Sequence, residues 1–367
     1  MAITDEVREV VSGNSATSEI DQELEELLKK QSARVKVVGI GGAGNNTLSR
    51  IKEIGIKGGE TIAINTDAQD LLYTKADYKI LIGREISRGL GAGSNPRIGA
   101  EAAKESIQEI KKKLENTDMI FITCGLGGGT GTGAAPVVAE VAKKMGALTI
   151  GVVTLPFTVE GKKRIENAVE GLERLEGLVD TLIVIPNDKL LELAPDLPLT
   201  TAFKVADEIL TNAVKGITEL VTKSGLVNLD FADVRAVMAN GGVSLIGMGE
   251  SDSKERAIDA VEKAINNPLL DVNIENATGA LVNVIGGEDL ALEEYKQIIQ
   301  FIGDKLSPEA KIISGAQISK DMGETVRVMV IITGVKSTQI SGEKRTFEQS
   351  KQDEMSEELG IEYIEED

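Results

Sequence analysis

A glycine-rich run from Cys124 to Pro136 is the stretch of the sequence best suited to chemistry. It contains six glycines among thirteen residues, and it lies between an apolar segment (119–123) and a helical one (137–144). These flanks predict a turn from a buried strand into a helix. Glycine lets a ligand approach the backbone N–H groups closely, and a helix N-terminus adds partial positive charge. The run therefore predicts a phosphate-binding loop, because a turn that only packs a helix on its sheet needs one or two glycines.

Two further glycine-rich segments precede this run. Residues 39–44 match the pattern G-x-G-x-x-G, and Asp67 follows about twenty residues later, as in a dinucleotide-binding fingerprint. An NAD-dependent oxidoreductase is therefore one interpretation. The third segment, 89–96, favours another interpretation, a triphosphate held by amides from several loops, because one pyrophosphate does not require three loops. A Walker-type P-loop is excluded, because neither 39–44 nor 124–133 ends in Gly-Lys-Ser/Thr.

Three carboxylates have positions that admit two interpretations. Asp207 lies in a long helical segment, where it is either a solvated charge or an acceptor for the N1–H and N2–H₂ groups of guanine, which adenine lacks. Asp230 and Asp233 are three residues apart at the start of a predicted helix. They are either an N-cap with its first-turn neighbour or a pair that orients water for attack on a γ-phosphate.

The composition narrows the chemistry further. The chain has no histidine and one cysteine, which excludes a histidine metal site, a Ser-His triad and an intrachain disulfide. Its net charge of −19 and its 3% aromatic content argue against nucleic acid as a partner. An anionic protein that binds a nucleotide needs a cation, for which Mg²⁺ is the obvious candidate. The sequence shows neither a membrane-spanning stretch nor a secretory signal, so we expect no membrane insertion and a cytoplasmic location.

The order of elements predicts an α/β fold. Strands alternate with helices from residue 35 to 185, which indicates a doubly wound, mostly parallel, Rossmann-like sheet. A long helix from Thr200 to Lys223, with an apolar face, predicts a central strut, and a second, smaller α/β region follows to about residue 334. The glycine-rich segments follow strand ends, so we expect them to meet at one edge of the sheet.

Both ends of the chain differ from the rest. Residues 20–30 have apolar residues at helical spacing, which indicates a short amphipathic helix that packs on the body. Residues 336–367 have the composition of a disordered tail that ends in a short apolar segment, 359–364. That segment is either a frayed terminus or a docking peptide that orders on binding.

Six motifs together, spread in order over residues 34–335, closely resemble those of the tubulin/FtsZ family. They are Gly41-Gly42-Ala43-Gly44-Asn45-Asn46, Asn65-Thr66-Asp67-Ala68-Gln69, the Gly-Thr-Gly run 127–133, Pro156-Phe157-x-x-Glu160-Gly161, Pro186-Asn187-Asp188-Lys189-Leu190 and Asn228-x-Asp230-Phe231-Ala232-Asp233-Val234.

The resemblance implies a GTPase that polymerises head to tail into protofilaments of the mid-cell division ring. It implies a GTP-binding domain (34–199), a central helix (200–224) and a C-terminal activating domain (225–335), between an N-terminal extension (1–33) and the acidic tail (336–367). GTP or GDP would bind with Mg²⁺ held by the nucleotide, and the protein itself would be the main partner. The tail would bind a membrane-tethering or division protein.

The resemblance also implies roles for single residues. Asn228, Asp230 and Asp233 would complete the active site of the next subunit. Residues implied to hold the nucleotide are Gly41, Gly42, Ala43, Asn45, Asn46, Asp67, Gly91, Ala92, Gly93, Gly127, Gly128, Gly129, Thr130, Gly131, Thr132, Gly133, Glu160, Arg164, Asn187, Phe203 and Asp207.

The sequence departs from the bacterial pattern at two places. Position 207 is Asp where many bacterial members have Asn, although both can pair with guanine. The tail lacks the bacterial Pro-x-Phe-Leu peptide, and with the N-terminal extension this is more similar to the archaeal branch. A third interpretation, a GTP-binding scaffold without turnover, would leave Asp230 and Asp233 as helix caps.

Overall fold

The fold is built on one mixed sheet. The computed structural model describes residues 33–56, 58–193, 199–222, 226–227, 229–270, 274 and 277–335. In this part of the chain ten strands pair in the order β3-β2-β1-β4-β5-β6-β7-β10-β8-β9. They are β1 Val35–Ile40, β2 Gly59–Asn65, β3 Tyr78–Leu81, β4 Met119–Gly125, β5 Leu148–Leu155, β6 Thr181–Pro186, β7 Gly242–Ser251, β8 Gly279–Gly286, β9 Lys311–Ile318 and β10 Val326–Thr333.

The first six strands are parallel and have the order 3-2-1-4-5-6. The order reverses between β1 and β4, which pair from Val35↔Met119 to Gly39↔Thr123. In open α/β sheets a ligand binds in the crevice at such a reversal, beyond the carboxyl ends of the strands. Two of the glycine-rich segments follow β1 and β4 directly, so the topology places both at the crevice.

Helices cover both faces of the sheet, as parallel crossovers require. They are α1 Gly41–Ile54, α2 Ala68–Tyr73, α3 Pro96–Glu105, α4 Ile107–Leu114, α5 Thr130–Lys144, α6 Lys162–Glu176, α7 Asn187–Leu193, α8 Leu199–Thr222, α9 Phe231–Met238, α10 Arg256–Ile265 and α11 Leu292–Gly303.

The predicted central strut is α8. Its buried residues Leu210, Val214 and Ile217 belong to one apolar cluster with Phe121 of β4 and Met329 of β10. Because one helix packs against strands from both halves of the chain, it joins the two predicted α/β regions through a shared core. The predicted doubly wound, mostly parallel sheet with a long central helix is confirmed.

The second α/β region continues the same sheet. β6 pairs with β7 over three residues, and β10 lies antiparallel between β7 and β8. The domain boundaries at 34–199, 200–224 and 225–335 stay predictions. The predicted helix at 20–30 and the tail at 336–367 lie outside the described residues.

The predicted start of α5 is wrong. The helix begins at Thr130, not at Val137, and so includes Gly131 and Gly133. Glycine disfavours a helix interior by about 1 kcal/mol relative to alanine, but close packing overrides that preference here. A Cβ on Gly133 would lie 1.9 Å from the carbonyl oxygen of Pro96, so only glycine lets α5 approach α3.

Smaller differences concern two later helices. The sequence also predicts a helix from Ser253 to Ala264 and another from Leu292 to Leu306. The first begins at Arg256 and the second ends at Gly303. Helix ends are the least certain part of a sequence prediction, because capping contacts decide them.

We expect Gly133→Ala to destabilise the protein strongly. The added methyl would overlap backbone atoms that cannot rotate away, and overpacking of this kind costs about 1–3 kcal/mol or more. Gly177→Ala is the matched control, because Gly177 has helical φ and ψ and open space around its Cβ position. Urea unfolding should show a large loss of unfolding free energy for Gly133→Ala only. Equal stabilities of the two variants would contradict the packing of α5 against α3.

Candidate functional site

A cavity of about 700 Å³ opens at the carboxyl ends of the parallel strands, where the strand order reverses. This volume lies within the range of small-molecule sites, about 300–1,000 Å³. Residues from all three glycine-rich segments line it, as do residues from the starts of α2, α6 and α7 and from the first half of α8. The predicted meeting of these segments at one edge of the sheet is confirmed.

Two helices begin at the cavity without side-chain caps. Neither Ile40 before α1 nor Gly129 before α5 accepts a capping hydrogen bond with its side chain, and neither first turn holds an acidic residue. By contrast, α2, α3 and α9 are capped by Asp67, Asn95 and Asp230. The first-turn N–H groups of α1 and α5 therefore remain available to a ligand, and an anion suits both their donors and the helix dipoles.

The two N-termini lie side by side because glycines allow it. A Cβ on Gly41 would stand 2.9 Å from the backbone nitrogen of Gly131, and φ of Gly41 is +71°, a region that L side chains rarely adopt. The segment 89–96 closes a third side, where Gly91 and Ser94 line the cavity. Donors thus face the same space from several directions.

Asp207 lies where α8 borders the cavity. Its carboxyl accepts a hydrogen bond from the Thr47 hydroxyl of α1 at 3.4 Å. Burial raises the pKa of Asp207 to about 6, although that hydrogen bond and the charge of Arg50 oppose the shift. Asp207 is thus an acceptor at the cavity wall rather than a solvated helix charge. The side chain of Phe203 lies outside the described residues.

The cavity wall also carries a cation and two further polar groups. Arg164 of α6 pairs with Glu160, and the other carboxylate oxygen of Glu160 accepts from the backbone N–H of Phe157 at 2.8 Å. Asn187, at the start of α7, is only 4% exposed, and its Oδ1 has no hydrogen-bond partner in the described residues. A buried amide oxygen without a partner suits a ligand that donates a hydrogen bond.

Most of the predicted nucleotide-binding residues line the cavity. These are Gly41, Gly42, Ala43, Asn46, Asp67, Gly91, Gly128, Gly129, Thr130, Gly131, Glu160, Arg164, Asn187 and Asp207.

Six other predicted residues do not line the cavity, although some of them shape its wall. Thr132 accepts the N–H of Gly127 at 2.9 Å and so shapes the loop before α5. A Cβ on Gly129 would lie 2.8 Å from the Cβ of Ala92, which shows how closely these two loops pack. The six residues are Asn45, Ala92, Gly93, Gly127, Thr132 and Gly133.

Sequence reasoning missed several lining residues, of which Asp70 is the most consequential. Asp70 follows the N-cap Asp67 by three residues, and both line the cavity. That spacing puts the two carboxylates on one face of a starting helix, a signal that could have been recognised. Ile40, Asn65, Ser94, Gly125, Leu126 and Pro156 lie within the segments and motifs already predicted, and Thr154 and Ala206 complete the lining.

Asp230 and Asp233 lie at the opposite edge of the sheet. From Asp207 at the cavity, α8 runs about 22 Å to Thr222 at 1.5 Å per residue. Thr222 packs against Gly58, just before the start of β2. Arg235 of α9 then donates to the carbonyl of Gly146, just before the start of β5. The N-terminus of α9 is therefore remote from the cavity of its own chain.

Asp230 caps α9, as one interpretation of the sequence expected. Its Oδ1 accepts the N–H of Asp233 at 2.8 Å, and its side chain is exposed. Capping uses only one carboxylate oxygen. Asn228 lies outside the described residues.

The described residues contain neither a metal site formed by side chains alone nor a membrane-spanning helix. No group of three or more acidic, cysteine or histidine side chains could hold a metal ion by itself. Among the same residues, no helix has the length and apolar character needed to cross a membrane.

Comparison with known proteins gives matches along most of the chain. The family models described as "Tubulin/FtsZ family, GTPase domain" and "FtsZ family, C-terminal domain" match residues 34–195 and 242–336. The protein called "Cell division protein FtsZ 1" of Thermococcus kodakarensis is 63% identical over 87% of this chain and 86% of its own length. The protein of the same name from Pyrococcus furiosus is 58% identical over 98% of this chain and 96% of its own length.

A solved structure extends the likeness to the fold. The structure titled "FtsZ dimer, empty (M. jannaschii)" superposes with a TM-score of 0.83 at 62% identity, over 86% of this chain and 92% of that one. Sequence and fold therefore agree on one family.

Proposed function

The chain belongs to the tubulin/FtsZ family of GTPases, and on that premise we propose that it polymerises head to tail and cleaves GTP between neighbouring copies. The proposed setting is the cytoplasmic ring that divides the cell. A membrane-tethering or division protein would bind the acidic tail, which lies outside the described residues.

The proposed GTP lies in the cavity with its phosphates at the N-termini of α1 and α5. The uncapped first turns supply backbone N–H donors, and Gly91 in the segment 89–96 approaches from a third side. Asp207 accepts hydrogen bonds from the guanine N1–H and N2–H₂ groups. Glu160, Arg164 and Asn187 contact the ribose and neighbouring groups.

One observation carries the proposal of catalysis between copies. Asp230 and Asp233 lie at the edge of the sheet opposite the cavity, so they cannot reach a nucleotide bound by their own chain. A head-to-tail contact between two copies would bring the exposed start of α9 on one copy to the cavity of the next. Such a heterologous contact repeats along an open filament.

The cleavage step requires a positioned water. The Asp230 and Asp233 carboxylates would accept hydrogen bonds from it and orient its oxygen for in-line attack on the γ-phosphorus. The bond from phosphorus to the bridging oxygen then breaks, giving GDP and phosphate. Mg²⁺ bound with the nucleotide would offset the negative charge of its phosphates.

A GTP-binding scaffold without turnover is the alternative that one contact favours. Asp230 does cap α9, so capping alone could account for it. The second carboxylate oxygen is not used by the cap, so capping and catalysis are compatible. The oxidoreductase interpretation has no comparable support, since three loops rather than one border the cavity.

We expect Asp230→Asn to bind GTP normally but to hydrolyse it at least about a hundredfold more slowly, the lower range for general base catalysis. Asparagine keeps the capping oxygen, so folding should be preserved. GTP affinity, thermal stability and phosphate release, the last as protein concentration rises, would be measured together. Asp252→Asn, on an exposed turn, is the matched control.

Wild-type specific activity should rise with protein concentration, because each active site needs two copies. Specific activity independent of concentration would contradict cleavage between copies. Full activity of Asp230→Asn would instead show that Asp230 acts only as a helix cap.

We expect GTP affinity to fall below pH 6. Asp207 gains a proton as the pH drops through its pKa of about 6 and can then no longer accept two hydrogen bonds from guanine. If only the ionised form binds, the dissociation constant should be about tenfold larger at pH 5 than at pH 7.

Asp207→Asn is the control that separates this effect from titration of the nucleotide phosphates. Its affinity should change much less over the same range, because asparagine has no carboxyl group to titrate and can still pair with guanine. GTP affinity would be measured by titration calorimetry. Parallel pH profiles of affinity for the two proteins would show that Asp207 does not bind the guanine base.

A further inference from the structure

Asn167 is a buried side chain behind the cavity that the proposed mechanism does not use. It lies in the second turn of α6, is only 6% exposed and is not among the residues that line the cavity. Arg164, three residues earlier on the same face of this helix, does line the cavity. Burial of an amide is costly unless the amide is hydrogen-bonded, so its partners indicate what Asn167 does.

The Asn167 amide bridges two of the three glycine-rich segments. Its Nδ2 donates to the carbonyl of Ser94 at 3.2 Å and to the carbonyl of Gly127 at 3.3 Å. A side-chain amide has two N–H donors on one nitrogen, and here each has a partner on a different loop. One side chain therefore ties the segment 89–96 to the loop before α5.

The bond to Gly127 fixes the orientation of the peptide group that joins Gly127 to Gly128. This peptide is trans, and in a trans peptide the C=O and the N–H point in opposite directions. The N–H of Gly128 therefore points away from Asn167. Gly128 lines the cavity, and its N–H donates none of the hydrogen bonds found among the described residues. The Asn167 amide thus keeps this N–H free for a ligand in the cavity.

No other hydrogen bond among the described residues holds this peptide group. The bond from the N–H of Gly127 to the Thr132 hydroxyl holds the preceding peptide group instead. Glycine adopts positive and negative φ about equally readily, and φ of Gly127 is +99°. With glycine on both sides, the peptide group could turn over without the Asn167 amide, and its carbonyl would then face the phosphates.

The bond to Ser94 secures an unusual conformation in the other loop. φ of Ser94 is +58°, in the left-handed region that residues with a side chain rarely adopt. The carbonyl of Ser94 accepts from Asn167, and the N–H of Asn95 in the same peptide group donates to Ala92 at 3.0 Å. Both polar groups of this peptide are therefore paired, which holds the segment 89–96 in the shape that closes the third side of the cavity.

We propose that Asn167 is a positioning residue for the nucleotide. Its amide holds the carbonyls of Ser94 and Gly127 away from the cavity and directs the N–H of Gly128 toward the phosphates. The inference rests on the proposed function, which assigns the phosphates to the N-termini of α1 and α5. Because Asn167 does not line the cavity, it acts through the two loops and not by contact with the nucleotide.

The test compares a ligand that has phosphates with one that lacks them. Asn167→Leu has a similar volume but no donor, and its affinities for GTP and guanosine would be measured by competition with a fluorescent GTP analogue. We expect GTP affinity to fall about tenfold or more, because a hydrogen bond to a charged group is lost. Guanosine affinity should stay at the wild-type value, because the proposed contacts of the base and ribose involve other residues.

Val169→Ala is the matched control for lost packing, because Val169 is buried on the same helix outside the cavity lining. It should lower the melting temperature and leave both affinities unchanged. Thermal melting would verify that Asn167→Leu folds, and Asn167→Ala, which removes both donors and adds no volume, would replace it if it does not. Unchanged GTP affinity in the folded variant, or equal losses for GTP and guanosine, would overturn the inference about Asn167. Absence of GTP binding by the wild type would instead overturn the proposed function.

Discussion

Everything in this structure depends on two helix N-termini that lie side by side with their first-turn N–H groups unused. A helix normally satisfies these groups with a side-chain cap, and α2, α3 and α9 all do so. At α1 and α5 the capping positions hold Ile40 and Gly129, which provide no side-chain cap, and glycines let the two backbones approach. The glycines lower the helix propensity of these turns. The uncapped turns keep a set of N–H donors that an anion can satisfy. The sheet order then places this set in a crevice.

The length of α8 is the second constraint. It separates Asp207 at the cavity from Asp230 and Asp233. One end of the helix borders the cavity through Asp207, and the other packs near the amino-terminal edge of the sheet. A rigid helix of this length cannot bend back to bring Asp230 to the cavity. In the proposed mechanism the chain therefore carries the two halves of the active site on opposite surfaces, and GTP hydrolysis would require assembly.

Much of this could be predicted from the sequence because the signals are local. Alternating apolar segments and glycine-rich turns predict the parallel sheet and the edge at which the loops meet. The start of α5 could not be predicted, because Gly133 is selected by contact with Pro96, which is far along the chain. The surroundings of Asp70 could not be predicted for the same reason, although its spacing from Asp67 is a local signal: its partners Asn45 and Asn65 become neighbours only when β1 and β2 pair. The environment of Asp207 could not be predicted either, because the spacing of residues in the sequence does not reveal that this carboxyl group is largely buried.

The most direct test of the central claim mixes two inactive variants. Gly128→Asp would place a carboxylate in the phosphate cradle, where the Cβ position has open space, and so would block nucleotide binding without disturbing the fold. Asp230→Asn would keep the nucleotide but lack the cleaving group. Phosphate release should be absent for each alone and return on mixing, since one copy then offers GTP and the other offers Asp230. Failure of the mixture to hydrolyse GTP, with both variants folded and associating, would contradict an active site shared between copies.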